Sequence, residues 1–526
     1  MTRSIYLVNP AADFPTYYGA EVYAGRGYEP AVFLADLVVP TLAAMVPRDM
    51  HVEICDEHLE PVDFDLDVDF VGITGKISQW GRTKAIAAEF RRRGKTVLIG
   101  GPHASLCPEV VRPHCDVLVR NEIEEIAPEL FDDLRRGAPK PEYVGGKPDL
   151  ALSPIPRWDL YAKYNPRVLT ATVQTSRGCP FLCEFCDVIQ YVGRTQRHKP
   201  IERIVAELDV VYAHGYRSVL LADDNTTANR RWVKEMFAAV ADWNDRRTDG
   251  RMSLSTQLSI DAARDDEVLR LAALAGLTHC FIGIETTNAA SLVGARKVQN
   301  LKLRNPHQEN PTIVDQVRRF LANGIGVTAG MICGFDEDET SIFAQQFEFA
   351  MASAVPILTL SALAAPHATP LHARLERTGR LVDAYEVPGH PWNSNVVPQR
   401  MTREELTQGI RGLANSLYHP ANFGQRIVDY VAALEYPHAP PRTTQRNSAL
   451  RSVDRDTLAL IADIPKLDEP SRDMWSRVMK VLPKNPQATL PIMEAFARYQ
   501  QLRYMYEQGS FWDAPGPFAS ARRLGD

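Results

Sequence analysis

Cysteine is scarce in this chain: eight residues in 526, at positions 55, 107, 115, 179, 183, 186, 280 and 333. That density excludes a disulfide scaffold. Long apolar runs are missing too; none approaches the roughly 20 residues that a membrane-spanning helix needs. The opening Met1-Thr2-Arg3-Ser4-Ile5 lacks the apolar core and cleavage site of a secretory signal. Nor is there a surplus of positive charge. Lys+Arg number 59 against 65 Asp+Glu, a net charge of −6, which argues against a general nucleic-acid binder. No internal repeat or low-complexity tract stands out. What is present, 45% hydrophobic and 24% charged residues, is the ordinary mix of a soluble globular protein. The length predicts two to four domains. The whole points to a cytoplasmic enzyme with no integral membrane segment.

Hydrophobic patterning divides the chain into three parts. In residues 1–150, short β-branched runs at 4–8, 51–55, 69–73, 96–99 and 116–119 alternate with helix-like stretches such as 33–45 and 79–93. The alternation predicts an α/β unit, a doubly wound parallel sheet with helices on both faces. Ligands of such sheets bind beyond the carboxyl ends of the strands. Those ends carry Asn9-Pro10, Asp56-Glu57-His58, Thr74-Gly75-Lys76, Gly100-Gly101-Pro102-His103 and Arg120-Asn121-Glu122. Glycines there let backbone approach a bulky ligand. Residues 151–168, rich in proline and aromatics, read as a linker laid over a surface. From 169 to 385, six strand-like runs (169–175, 218–222, 252–258, 279–284, 325–332 and 357–363) alternate with helical patterns. This predicts a partial (β/α)6 barrel with its site at the strand carboxyl ends. Residues 386–526 contain the capping box Thr402-Arg403-Glu404-Glu405 and then helical periodicity, a mainly helical domain with a loose end from 513 onward.

Three of the eight cysteines fall together. Cys179, Cys183 and Cys186 have the spacing C-x3-C-x2-C, directly after the first predicted barrel strand. Clustered cysteines in a cytosolic enzyme signal metal or redox chemistry. A structural zinc site wants four closed ligands; Asp187 and His198 are nearby candidates for the fourth, in no standard zinc spacing. An iron–sulfur cluster on three cysteines keeps one iron open for a substrate or cofactor. Cys55, Cys280 and Cys333, in strand-like runs, read as buried structural thiols.

With the phrase Gln174-Thr175-Ser176-Arg177-Gly178-Cys179-Pro180 and the following Cys183-Glu184-Phe185-Cys186, the sequence resembles the radical S-adenosylmethionine (SAM) enzymes, in particular their cobalamin-dependent class. Similar stretches end the later barrel strands. They are Asp223-Asp224-Asn225 after the second, Phe281-Ile282-Gly283-Ile284-Glu285-Thr286 after the fourth, and residues 330–336 and 365–371 after the fifth and sixth. Gly100-Gly101-Pro102-His103 is similar to the family's cobalamin-binding domain. The C-terminal part, with Leu417-Tyr418-His419-Pro420, resembles the helical extension of hopanoid C-2 methylases and their relatives; a phosphinate P-methylase has a similar overall architecture.

The resemblance implies that Cys179, Cys183 and Cys186 bind three irons of a 4Fe–4S cluster whose fourth iron chelates SAM. An electron from that cluster then yields a 5′-deoxyadenosyl radical. It implies that Asp223, Asp224 and Asn225 face the SAM amino group or ribose. Glu285 would accept the ribose hydroxyls, and a charge there needs a partner. Thr74, Gly75, Lys76, Gln79, Gly100, Gly101 and His103 would hold the corrin of cobalamin and its nucleotide tail. The family's Asp-x-His-x-x-Gly cobalt-ligand signature is missing. Asp56-Glu57-His58-Leu59-Glu60-Pro61 resembles it in part, but follows the second strand and carries proline in place of glycine. The implied cobalamin has its own base displaced and no histidine on cobalt. The turn Arg120-Asn121-Glu122-Ile123-Glu124 departs from the family's Gly-Glu-rich turn.

The expected reaction is methylation of an unactivated carbon or a phosphinate phosphorus, one SAM methylating cobalt and a second yielding the radical. The alternative keeps both cofactors but forms, contracts or oxidises a ring, since fold does not fix reaction. A non-catalytic iron–sulfur or cobalamin carrier is opposed by the strand-end set Cys179, Asp223 and Glu285. The expected partners are a small-molecule substrate (lipid, phosphinate or natural-product intermediate) and an external electron donor such as flavodoxin or ferredoxin. Tyr191, His367, Asn393, Asn395 and Tyr418 are conceivable substrate contacts, though each reads first as a satisfied structural polar residue.

Overall fold

The computed structural model describes residues 3–301, 311–382, 390–438, 450–512 and 518. The boundary expected at 385/386 and, apart from Phe518, the tail from 513 lie outside these residues. The N-terminal strands are β1 (Ser4–Asn9), β2 (Val32–Leu34), β3 (His51–Asp56), β4 (Phe70–Thr74), β5 (Thr96–Gly100), β6 (Val117–Arg120) and β7 (Glu142–Val144). They are followed by β8 (Val168–Val173), the two-residue β9 (Ser176–Arg177) and β10 (Arg197–His198), β11 (Ser218–Leu221), β12 (Ser253–Leu258), β13 (Leu277–Glu285), β14 (Gly326–Cys333) and β15 (Ile357–Ala362).

Six strands make a parallel sheet in the order β3-β1-β4-β5-β6-β7. The order reverses at β1, so the crevice between the ends of β1 and β4 is the topological switch point, where open α/β sheets bind ligands. Seven strands make a second parallel sheet, β15-β14-β13-β12-β11-β8-β2, an open half-barrel. Alternation along β1 sends Tyr6 and Val8 into a core with Val71, Ile73 and Phe90. Ile5 and Leu7 enter a core continuous with the half-barrel and the C-terminal helices.

All eleven predicted strands are present, and two departures carry weight. The stretch 33–45, read as one helix, splits into β2 and a helix, Val38–Met45. Asp36 makes the break: its carboxylate accepts from the Val39 N–H at 2.7 Å, and Ala35 N–H donates to Thr170 of β8 at 2.9 Å. The uniformly apolar run has no period to separate helix from strand. β2 therefore extends the half-barrel from inside the N-terminal third. Residues 151–168, expected to lie over a surface, instead bury Trp158, Tyr161 and Tyr164 completely. Tyr161 donates to the buried Asp56 carboxylate at 2.6 Å.

The open edge of the half-barrel is closed by tyrosine hydroxyls. Leu358 N–H of β15 donates to Tyr418 Oη at 3.0 Å, and that hydroxyl donates to the Leu358 carbonyl at 2.5 Å. Tyr17, from the segment after β1, does the same for Leu360, accepting at 3.0 Å and donating at 2.5 Å. Edge groups that a further strand would satisfy are thus paired one by one. Tyr418 belongs to the helix Arg403–Tyr418, which opens on the expected capping box of Thr402 and Glu405. Helices Pro420–Ala433, Ser452–Ala462, Glu469–Val481 and Thr489–Gln508 follow. Val22 N–H donates to Gln501 of the last at 3.0 Å, so the two ends of the chain meet.

Two predictions follow from these contacts. Tyr418→Phe orphans the buried Leu358 N–H and carbonyl, and should cost about 1–3 kcal/mol in urea unfolding; an unchanged midpoint would remove the edge-pairing role. Asp36 is held up to about 6, first by burial and then by the Asp56 charge. Its folded value lies above the unfolded one, so stability falls as the pH rises from about 4 to 6. Asp36→Asn should abolish that fall, and its advantage over the parent should grow across this window and level off above pH 7. An advantage independent of pH would contradict this.

Candidate active site at the facing strand ends

The loop after β8 carries the three cysteines, and carboxylates shape it. Both carboxylate oxygens of Asp223 accept from this loop. Its Oδ1 accepts from the N–H groups of Thr175 and Ser176, both at 2.8 Å, and its Oδ2 from the Thr175 hydroxyl. Backbone N–H groups turning away from a strand end need such acceptors. Asp224 accepts from Gly178 N–H at 2.7 Å, and burial pushes its carboxyl up to about 6. Gly178 has φ +98°, and a Cβ there would lie 2.4 Å from the Thr195 carbonyl oxygen, so the first cysteine follows an obligatory glycine. The Asn225 amide donates to Ser259 at 2.7 Å, with Cys179 Sγ 4.0 Å away.

All three thiols are free of disulfides. Among the described residues they do not all lie within 4.8 Å of one another, as the ligands of one zinc ion would; an iron–sulfur cluster spreads its thiolates over separate irons. His198, the possible fourth zinc ligand, lies against the Trp232 ring at 4.2 Å. The donor set fits a cluster in its charge as well. Gln299 Nε2 lies 3.5 Å from Cys183 Sγ. The buried Lys297 is held protonated by Glu285 and by the neighbouring Cys183 and Cys186, against the opposing effect of burial.

Lys297 is the partner that Glu285 requires, at 2.6 Å. Glu285 follows a bulge in β13 and has φ +66°. A Cβ on Gly283 would stand 2.2 Å from Glu285 Oε1 and 3.0 Å from Lys297 Nζ, so the ion pair occupies the space that this glycine vacates. Asn300 fixes the bulge by donating to the carbonyls of Gly283 and Ile284 at 3.0 and 2.8 Å. Sequence reasoning missed Lys297, Gln299 and Asn300; a lysine twelve residues beyond an isolated strand-end carboxylate was the available signal.

At the other sheet, Thr74, Gly75, Gly100, Gly101 and His103 come together at the ends of β4 and β5. Gly75 N–H donates to the Gly100 carbonyl, and His103 N–H to the Gly75 carbonyl, both at 3.3 Å. Gly101 has φ +96°, and a Cβ there would sit 3.0 Å from Gly75 backbone and Thr74 Oγ1. Lys76 is exposed at the same turn. The Gln79 side chain reaches across the switch point. It donates to Asn9 Oδ1 at 3.0 Å and the Pro10 carbonyl at 2.5 Å, and accepts from Lys76 N–H at 2.9 Å. Both ring nitrogens of His58 are engaged too, with Asp56 at 3.0 Å and Ala12 N–H at 3.3 Å. Asn395 spends its amide on both backbone groups of Ala365.

The two sheets meet at the turn after β6. Glu122 takes Arg197 in a two-pronged pair at 2.6 and 2.8 Å, and Arg177 at 2.7 Å. Arg177 also reaches Glu124 at 2.7 Å. Arg177 stands two residues before Cys179, so the N-terminal strand ends are bolted to the thiol loop. The far side of that loop is tied by Glu184, which pairs with Arg374 at 2.6 Å.

A central sheet with a three-thiol loop at the carboxyl end of its first barrel strand, joined to a switch-point sheet, defines a radical SAM domain with an N-terminal α/β partner. Residues 173–343 match the Radical SAM superfamily model, and residues 369–510 match a Domain of unknown function (DUF4070). The chain carries a radical SAM domain. It is similar to an uncharacterized methyltransferase of Synechocystis sp., 34% identical over 364 residues, covering 67% of this chain and 65% of that protein. It is also similar to the hopanoid C-2 methylase of Rhodopseudomonas palustris, 31% identical over 67% of this chain and 66% of that protein. The chain thus spans just under two thirds of these curated relatives. In fold it resembles the cobalamin-dependent S-adenosylmethionine radical enzyme OxsB with aqua-cobalamin bound (TM-score 0.61, 14% identity, 97% of this chain and 80% of that one). It also resembles the radical S-adenosylmethionine methyltransferase TsrM from Kitasatospora setae (TM-score 0.54, 17% identity, 72% and 78%). No helix among the described residues is long and apolar enough to cross a membrane.

Removing one charge from the set between the sheets leaves others buried without a partner. Glu122→Gln should cost about 3–5 kcal/mol in urea unfolding and speed amide exchange in 176–198. Parental values in both measurements would show that the ion pairs do not hold the thiol loop.

Proposed function

We propose that the chain is a cobalamin-dependent radical SAM methyltransferase that methylates an unactivated carbon of a small molecule. The observation that carries this reading is the joint between the sheets: the turn after β6 grips Arg177, so the thiol loop and the glycine-lined strand ends of the first sheet face one another. The names of the relatives, a hopanoid C-2 methylase and a bacteriochlorophyllide d C-8(2)-methyltransferase of Chlorobaculum tepidum (28% identical over half of this chain), favour carbon as acceptor. On this reading residues 1–150 bind cobalamin, 169–385 bind the 4Fe–4S cluster and SAM, and 386–526 support the barrel edge.

When bound, the cluster with SAM supplies a hydrogen-abstracting radical, and cobalamin supplies the methyl group. The chain's part is placement. Cys179, Cys183 and Cys186 hold three irons, and Lys297 offsets their negative charge. Asp224 and Asn225 offer oxygen acceptors to the ammonium or hydroxyls of SAM, while Asp223 keeps the loop in shape. Glu285 presents its carboxylate at the strand end, oriented by Lys297. Gly75, Gly100 and Gly101 leave room for the corrin and its tail, with Thr74, Lys76 and His103 as polar contacts. An external one-electron donor of the flavodoxin or ferredoxin type reduces the cluster.

The test is anaerobic. Protein reconstituted with iron, sulfide and cobalamin is given reductant, SAM and a pool of candidate small molecules, and products are followed by mass spectrometry. The expected result is substrate-dependent deoxyadenosine and S-adenosylhomocysteine together, with a product heavier by one methylene. Cys183→Ala should lose the cluster iron and both SAM products. Deoxyadenosine with a changed but unmethylated substrate would overturn methyl transfer in favour of ring formation, contraction or oxidation.

A further inference from the structure

A second group of metal-ligating side chains lies beside the cysteine loop and the glycine turn, across the joint between the two sheets, and none of its members belongs to either set. Cys107 sits between the short helices Pro102–Leu106 and Pro108–Val111 of the N-terminal sheet domain. His367 sits in the loop after β15 of the half-barrel, more than 250 residues away in sequence. Among the described residues, a ligand atom of Cys107, one of Glu109 and one of His367 all lie within 4.8 Å of one another. We propose that Cys107, Glu109 and His367 bind one zinc ion that clasps the N-terminal sheet domain to the half-barrel.

The chemistry of the group favours zinc. One thiolate, one imidazole and one carboxylate form a mixed S/N/O set of the kind that zinc takes in tetrahedral geometry. His367 has the support that a metal-ligating histidine uses: Nδ1 lies 3.3 Å from the Leu106 carbonyl. A carbonyl partner fixes that nitrogen as the N–H and leaves the lone pair on Nε2. Glu109 is exposed, which gives the ion a way in from solvent. On binding, the Cys107 thiol gives its proton to solvent and ligates as thiolate.

A second observation points the same way. A further imidazole flanks the group: His372 is at least nine-tenths buried, and its Nε2 has no hydrogen-bond partner among the described residues. The His372 ring meets the His367 ring edge-on, with centroids 5.0 Å apart. Buried ring nitrogens are normally paired; His372 lies outside the 4.8 Å group, so on this proposal a water molecule takes the fourth position on the ion.

The test uses the iron–sulfur-loaded protein, exposed to zinc sulfate, desalted over a chelating resin and counted for iron and zinc. About one zinc per chain is expected with iron unchanged, and zinc-edge X-ray absorption should show one sulfur at about 2.3 Å among N/O neighbours at about 2.0 Å. Cys107→Ser and His367→Ala should each cut zinc affinity by more than the roughly 10–100-fold that loss of an outer-shell partner costs and keep the iron. Glu109→Gln, at an exposed position that leaves folding intact, should weaken it as well. Zinc far below one per chain, a zinc shell with two or more sulfurs, or affinity unchanged in all three variants would overturn the clasp. None of these readouts depends on methyl transfer.

Discussion

The joint of Glu122 and Glu124 with Arg177 and Arg197 is the constraint on which the rest of the structure depends. All four side chains are largely withdrawn from water, with 2–15% of their surface exposed. Burying four charges is costly, and mutual attraction repays the cost only when the geometry is good and the remaining donors are satisfied. Here Arg197 is bidentate on Glu122 and also donates to the Pro148 and Val192 carbonyls, while Arg177 is held by Gln174 at 2.6 Å. Such a set admits one relative placement of the two sheets. A shift of a few ångströms would strand a guanidinium in a dry interface. The turn that departs from the family's usual composition therefore does a different job: its carboxylates are the anchor for the cysteine loop.

The N-terminal third is not a lid resting on a finished barrel. β2 pairs with β8 and is the last strand of the half-barrel, and the segment between β1 and β2 crosses to the opposite edge, where Tyr17 pairs with β15. One stretch of about 25 residues thus reaches both edges of the open sheet. The C-terminal helices complete the same edge through Tyr418. Because the core under β1 runs on into the barrel and the helices, opening the crevice between the sheets requires breaking apolar contacts as well as ion pairs. Local breathing at the strand ends is cheaper than hinge motion of whole domains.

What was legible in the sequence was local. The short β-branched runs located the strands to within about two residues, because strands of a parallel sheet are buried on both faces and read as near-continuous apolar runs. The cysteine triplet was legible because its meaning lies in spacing alone. The joint was not, since Arg177, Arg197 and Glu122 have ordinary surface composition and meet only in the fold. The Gly283–Glu285–Lys297 arrangement was half visible: the carboxylate at a strand end announced that a partner must exist, but a lysine in the following turns is indistinguishable from a solvated one. Asp223 and Asp224 show the finest limit. They are adjacent, chemically identical and both at a strand end, yet Asp223 takes three donors of the loop on both its oxygens and Asp224 takes one. Which of two neighbours turns inward depends on a dihedral angle that no pattern of residue types records.

Glu285 shows how strain and chemistry are linked at this site. A left-handed conformation in a residue that is not glycine costs about 1–3 kcal/mol and persists only where the surroundings over-determine it. Here they do: Asn300 holds the two preceding carbonyls, Gly283 clears the space, and Lys297 pulls the carboxylate. The strain therefore keeps a carboxylate, an ammonium and the cysteine loop within one electrostatic unit, with the ammonium between two sources of negative charge. A cation so placed, beside thiols that must lose their protons to bind iron, lowers the work of assembling an anionic cluster in a buried site. It does so without adding a ligand of its own, because a protonated amine has no lone pair to offer.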